Sequence, residues 1–221
     1  MTSIKLRLLA ILPVAISLAC NMVTAAVTIP DPVIDAPLAT TKGEQTAVLA
    51  GGCFWGVEAV YEHVKGVIHS ESGYCGGSAS DAQYEIVSAG RTKHAEAVRI
   101  KYDPSQISYG QLLKVFFSVA HNPTELNRQG PDHGPQYRSA IFCSNEDQKR
   151  IAEAYIDQLN KARSFESPIV TEVVVGKTFY QAERYHQDYV RHHPNEPYIV
   201  INDLPKVANL RKLFPNLYVA R

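Results

Sequence analysis

Apolar and polar positions along this chain follow two different periods, and the switches between them lay out its elements. Ala47-Val48-Leu49-Ala50 is a short apolar run ending in Gly51-Gly52, which predicts a strand entering a tight turn. After it, apolar residues fall at 57, 60, 61 and 64, a helical spacing, and Gly66 suits the position just past a helix end. Gly66 to Tyr74 reads as a second strand, and His94 to Asp103, halted by Pro104, as a third. A second helix is expected over Tyr109 to Ala120, stopped at Asn122-Pro123, and a fourth strand over Tyr137 to Cys143. Ser144-Asn145-Glu146-Asp147 has the form of a capping box that opens a surface helix.

The order β-α-β-β-α-β predicts an α+β fold, a two-layer sandwich with a ferredoxin-like split β-α-β core and an added C-terminal strand and helices. A right-handed crossover makes the first two strands parallel, so Cys53 and the turn Tyr74-Cys75-Gly76-Gly77 are expected at one edge. The same connectivity sends Tyr84, the loop with Asn127, Gln129 and Asp132, and Tyr137 to that edge.

The N-terminal pattern is of another kind. Lys5 and Arg7 precede the apolar run Leu8 to Ala19, too short for a transmembrane span, and small residues Val23-Thr24-Ala25-Ala26 follow. A secretory signal peptide over residues 1–26 is expected, with export to the periplasm and no stable membrane insertion after cleavage. The alternatives are a lipoprotein signal ending at Cys20 and an uncleaved anchor. Residues 27–45, rich in Pro, Ala and Thr, read as an extended linker or surface arm, and residues 46–221 as a single domain.

Composition narrows the function. A chain of 221 residues that is 45% hydrophobic and 20% charged can bury a full core. Its 22 basic and 22 acidic residues cancel, which argues against nucleic acid as a partner. Signal cleavage would leave Cys53, Cys75 and Cys143 in a compartment that permits disulfides; an odd number keeps at least one thiol free or shared during catalysis. There is no CxxC and no metal-like Cys/His spacing.

Two residues carry the candidate chemistry. Cys53 sits between a glycine turn and a helix start, where unsatisfied N–H groups favour thiolate and typically lower a thiol from about 8.5 to roughly 3.5–7.5. Neither GxGxxG nor GxxxxGK[ST] occurs in the run, so a phosphate cradle is disfavoured. In the third strand Val98, Ile100 and Tyr102 share one face, and period two places Glu96 with them. A carboxyl among apolar groups holds its proton to higher pH, as a general acid requires.

Six motifs in unbroken order then carry a resemblance. They are Gly52-Cys53-Phe54-Trp55-Gly56, Gly73-Tyr74-x-Gly76-Gly77, His94-Ala95-Glu96-Ala97-Val98, Asn127-Arg128-Gln129-Gly130, Gln136-Tyr137-Arg138-Ser139, and Phe179-Tyr180-x-Ala182-Glu183-x-Tyr185-His186-Gln187. Over Thr46 to Tyr189 the chain closely resembles the peptide methionine sulfoxide reductase A family. The resemblance implies that Cys53 attacks the sulfoxide sulfur, Glu96 donates a proton to its oxygen, and Tyr84 and Tyr137 hydrogen-bond that oxygen. It further implies an aromatic wall of Phe54 and Trp55 for the substrate methyl, a supporting acid at Asp132, and a sulfenic acid left on Cys53. Glu183 and His186, three apart on a predicted helix, read as scaffold.

At its end the chain departs from the family. Many members carry a resolving cysteine in a glycine-rich tail, whereas this one reaches Arg221 without one, and Gly56 stands where some members have a second cysteine. Cys75 is the candidate resolving partner; Cys143, six residues into its strand and about 20 Å away at strand rise, is expected in the core. Otherwise an external thiol must act directly. The expected enzyme is a monomer with no bound cofactor or metal. It would reduce methionine sulfoxide in proteins, peptides or free form, the S epimer as the resemblance implies, drawing electrons from a thioredoxin-like donor or a small thiol. Two other readings remain: a Cys-His acyl transferase pairing Cys53 with His94, and a non-catalytic binding module.

Overall fold

The computed structural model describes residues 26–221, so all of the expected signal segment except Ala26 lies outside the described residues. Strand β1 spans Gln45–Gly51, helix α1 Phe54–Glu62, β2 Val67–Cys75, α2 Tyr84–Val87 and β3 Ala95–Tyr102. Helix α3, Tyr109–Val115, runs on into a wider turn, Phe116–Ala120. A small hairpin of β4 (Arg128–Gln129) and β5 (Asp132–His133) leads to β6, Ser139–Cys143. Then come α4 (Glu146–Lys161), β7 (Glu172–Val175), β8 (Phe179–Gln181), α5 (Tyr189–His192) and α6 (Leu204–Leu213).

The six-stranded sheet has the order β7-β6-β1-β3-β2-β8. Both β1 and β2 run antiparallel to β3 between them, so they are parallel to each other, as the split β-α-β reading expects. The added strands extend both edges: β7 parallel to β6, β8 antiparallel to β2. Alternation along the strands sorts two layers of core. Leu49, Val98, Ile100 and Ile141 face the helices, joined by Val57, Val60, Leu112 and Tyr155. Val48, Ala50, Cys75, Ala95, Ala97, Ala140 and Phe142 face the other way, under Val174 and Phe179.

The arm is docked on the surface. Ile29 is buried, the Tyr155 hydroxyl donates to the Pro30 carbonyl (2.7 Å), and Asp35 accepts from Ser108 Oγ (2.5 Å) and Gly110 N–H (2.7 Å) at the start of α3. Gly110 leaves room for that carboxylate, since a Cβ there would fall 2.5 Å from Asp35 Cγ.

Several boundaries differ from the pattern. Helix α1 ends at His63, and Gly66, with φ +90°, turns the chain into β2 instead of capping the helix. The fourth core strand begins at Ser139 because Pro135–Tyr137 forms a 3-10 turn that Pro135 opens. Tyr84 heads a short helix between β2 and β3. Asn145 caps α4, accepting from Gln148 N–H, while the reciprocal capping box belongs to Ser108 and Gln111 on α3.

Candidate active site

Gly52 adopts φ +92°, and a side chain there would collide with Gln129, whose amide is fixed by Asn122 N–H to Oε1 (3.0 Å) and by Nε2 to the Asn122 carbonyl (3.1 Å). This turn delivers Cys53 to the N-cap of α1. The next amide ties helix to acid: Phe54 N–H donates to Glu96 Oε2 at 3.1 Å. Glu96 shares the helix-side face of β3 with Val98 and Ile100 and is 2% exposed. Burial raises its carboxyl to about 8 against the Phe54 bond, with the charges of Asp132 and Asp203 adding. It therefore holds its proton at neutral pH.

For Cys53 the expected sign reverses. Burial, then the charges of Glu96 and Asp203, push the thiol well above its ordinary value. The Trp55 amide at the helix start does lower it, as does Lys206, but both are outweighed. At 8% exposure the sulfur is too dry for a helix terminus to hold it ionised, so the resting group is a thiol.

Tyr84 and Tyr137 are both half-buried, and burial followed by the charge of Glu96 raises both phenols, Cys53 acting in the same direction. They stay hydroxyl donors beside the acid and the sulfur. The Trp55 indole stacks on Tyr189 (ring centroids 3.8 Å, interplanar 6°) and meets Tyr198 edge-on at 6.0 Å. Its Nε1–H donates to His186 Nδ1 at 3.2 Å. Phe54 is 1% exposed and packs on Tyr74 and His186, so it backs the wall whose accessible part is Trp55. Asp132 accepts from the Tyr198 hydroxyl at 2.5 Å.

The pattern did not single out Tyr189, Tyr198, Asp203 or Lys206. They come from the C-terminal segment, which folds back over α1 where its sequence shows no clear period. Glu183 and His186 are scaffold of a particular kind, on a 3-10 turn instead of a helix. Glu183 accepts from the Tyr74 hydroxyl and the Tyr84 N–H, both at 2.8 Å, and His186 anchors Trp55.

The structure does not bring Cys75 to Cys53. Tyr74 points into the layer that holds Cys53, so Cys75, the next residue along β2, points to the opposite face of the sheet. It is fully buried under Thr178, and burial raises its thiol to about 12. Cys143 is in the Cys53 layer but four residues beyond Ser139, the partner of Gly51, about 13 Å at strand rise. His94 is also fully buried; its Nδ1 accepts from Gly77 N–H (3.2 Å) and its Nε2 donates to the Ser78 carbonyl (2.9 Å), leaving no nitrogen for Cys53.

A family model described as peptide methionine sulfoxide reductase matches residues 45–217. The chain belongs to this family. Peptide methionine sulfoxide reductase MsrA 2 of Mesorhizobium japonicum is 64% identical over 176 residues, covering 80% of this chain and 90% of that protein. The protein of the same name from Synechocystis is 53% identical, covering 84% and 88%. Among solved structures, reduced Mxr1 from Saccharomyces cerevisiae aligns with a TM-score of 0.60 at 30% identity, covering 72% of this chain and 94% of that one. Methionine sulfoxide reductase A of Corynebacterium diphtheriae gives 0.58 at 31%, covering 77% and 88%. The family match runs past Tyr189, where the sequence resemblance stopped, and takes in the segment carrying Tyr198, Asp203 and Lys206.

Proposed function

We propose that this enzyme reduces methionine S-sulfoxide in oxidised proteins and peptides, with Cys53 as the reacting thiol and Glu96 as the acid. The observation that carries the assignment of roles is the Phe54 N–H to Glu96 bond, which ties a protonated carboxyl to the amide next in the chain after the residue that bears the sulfur. Trp55, with Tyr189 and Tyr198 against it, offers an apolar wall for the substrate methyl, and Tyr84 and Tyr137 offer hydroxyls to the sulfoxide oxygen.

The chemistry balances within this set. The sulfoxide oxygen takes the Glu96 proton as the Cys53 sulfur bonds to the substrate sulfur, and the Cys53 thiol proton returns to the Glu96 carboxylate. The hydroxyl then passes to Cys53 as the bond between the sulfurs breaks. Methionine leaves with two electrons gained, and Cys53 remains as sulfenic acid. A thiol of raised pKa fits this scheme, because its proton is needed again and its ionisation is confined to the step in which Glu96 becomes a base.

Family members draw their electrons from an external thiol. With Cys75 across the sheet and Cys143 far along β6, we favour direct reduction of the Cys53 sulfenic acid by a thioredoxin-like protein or a small thiol, without an internal disulfide. Lys5, Arg7 and the apolar run after them support export to the periplasm. The test is turnover of S- and R-epimer methionine sulfoxide peptides with dithiothreitol. Wild type should yield methionine from the S epimer and Cys53→Ser none; equal activity of the two proteins would refute the assignment. Peptide mapping after one turnover without reductant should find dimedone-trapped sulfenic acid on Cys53, and a Cys53–Cys75 disulfide would refute the direct route.

A further inference from the structure

Beneath Cys53 the helix surface has a notch. Gly56 is one turn after Cys53 on α1, and a Cβ there would run into Asp203 Oδ1 and come 2.7 Å from Lys206 Nζ. The space of a side chain on α1 is filled by an ion pair from the C-terminal segment, Lys206 Nζ to Asp203 Oδ1 at 3.1 Å, with side-chain exposures of 6% and 0%. Asp203 Oδ2 is buried with no hydrogen-bond partner among the described residues. Burying such a pair commonly costs as much as the attraction returns, so fold stability is a poor reason for it to be here. The groups facing Cys53 are Glu96 from β3, Asp203 and Lys206 from the C-terminal segment, and the phenols of Tyr84, Tyr137, Tyr189 and Tyr198. Lys206 is the cation among those that act on the sulfur. His121, which feels the Lys206 charge, is buried and held neutral.

We propose that Asp203 and Lys206 are positioning residues for the reaction at Cys53: Lys206, seated in the Gly56 notch and oriented by Asp203, is the counter-charge for the sulfur anion that forms during attack. This deepens the function proposed above and rests on Cys53 being the reacting thiol. The two charges act on the sulfur with opposite sign. Removing the ammonium makes Cys53 harder to ionise; removing the carboxylate, with Lys206 kept, makes it easier.

The test is the pH dependence of Cys53 alkylation by iodoacetamide in the full chain, followed at the Cys53 peptide by mass spectrometry. It needs no sulfoxide, so it can fail independently of the reductase assignment. Lys206→Met should move the profile up by about one pH unit, slowing alkylation at pH 8 roughly tenfold, and Lys206→Arg should restore most of the rate. Asp203→Asn should move it down by a similar amount, and that shift alone decides the matter should Lys206→Met not fold. Opposite shifts support the proposal. Shifts of the same sign, or none in either variant, overturn it, since a purely structural pair would loosen the site equally from either side.

Discussion

Replacing Glu96 by Gln separates the chemistry of the acid from its cost to the fold. In the unfolded chain this carboxyl ionises at its ordinary value of 4.5; in the folded protein it keeps its proton to about 8. Below 4.5 both states carry the proton, and between the two values only the folded state does. Folding then takes up a proton, and stability falls by about 1.4 kcal/mol for each pH unit across that window. At pH 7 the accumulated loss is about 3 kcal/mol. Gln has no proton to hold, and its carbonyl can still accept from Phe54 N–H; its extra N–H, buried without a partner, takes back about 1–2 kcal/mol. Urea unfolding should therefore show Glu96→Gln gaining on wild type by about 2.5 kcal/mol in relative terms as pH rises from 5 to 7. Turnover should fall by a factor of about 10² to 10⁴ because the amide cannot give up a proton. A stability difference that stays flat from pH 5 to 8, or activity within tenfold of wild type, would show that Glu96 is an ordinary ionised glutamate.

Other consequences can be measured directly. Wild-type kcat/KM should fall roughly tenfold between pH 7 and 9 as Glu96 loses its proton, from about nine-tenths to about one-tenth protonated, and a flat profile over that range would contradict the carboxyl value of about 8. Cys75→Ser and Cys143→Ser should each keep most of their dithiothreitol-driven turnover, while losing about 1–2 kcal/mol in urea unfolding for placing a hydroxyl in a buried apolar site. Tyr198→Phe removes the hydroxyl that donates to Asp132; a loss of about 1–2 kcal/mol and a raised KM are expected, and an unchanged KM would mean that this hydroxyl does not help to shape the pocket. Asp35→Ala leaves Ser108 Oγ and Gly110 N–H without their acceptor, so thermal unfolding should come several degrees earlier with kcat untouched.

The sheet core and the candidates for acid and thiol could be read from local pattern, because each depends on short-range rules. Period two along β3 fixes the face of Glu96 whatever it packs against, and the right-handed crossover fixes the order of β1, β3 and β2. The same alternation, applied one residue past Tyr74, separates Cys75 from Cys53; the edge shared by β1 and β2 suggested a partner, but the face decides. Ionisation of Cys53 could not be read in this way. A helix start is local and favours thiolate, whereas the burial and the negative charges that outweigh it come from β3 and from a segment some 150 residues downstream.

The sequence alone determined the split β-α-β core, from the order of its elements, and the candidates for thiol and acid, from a glycine turn before a helix and from period two along one strand; the aromatic wall followed only from the family resemblance. Only the tertiary structure decided that the C-terminal segment closes over α1. It brings Tyr189 and Tyr198 to Trp55, and the Asp203–Lys206 pair to the notch at Gly56. The reason is physical: electrostatics and burial sum over every neighbour regardless of chain distance, and a segment without periodic pattern declares its neighbours only when it packs.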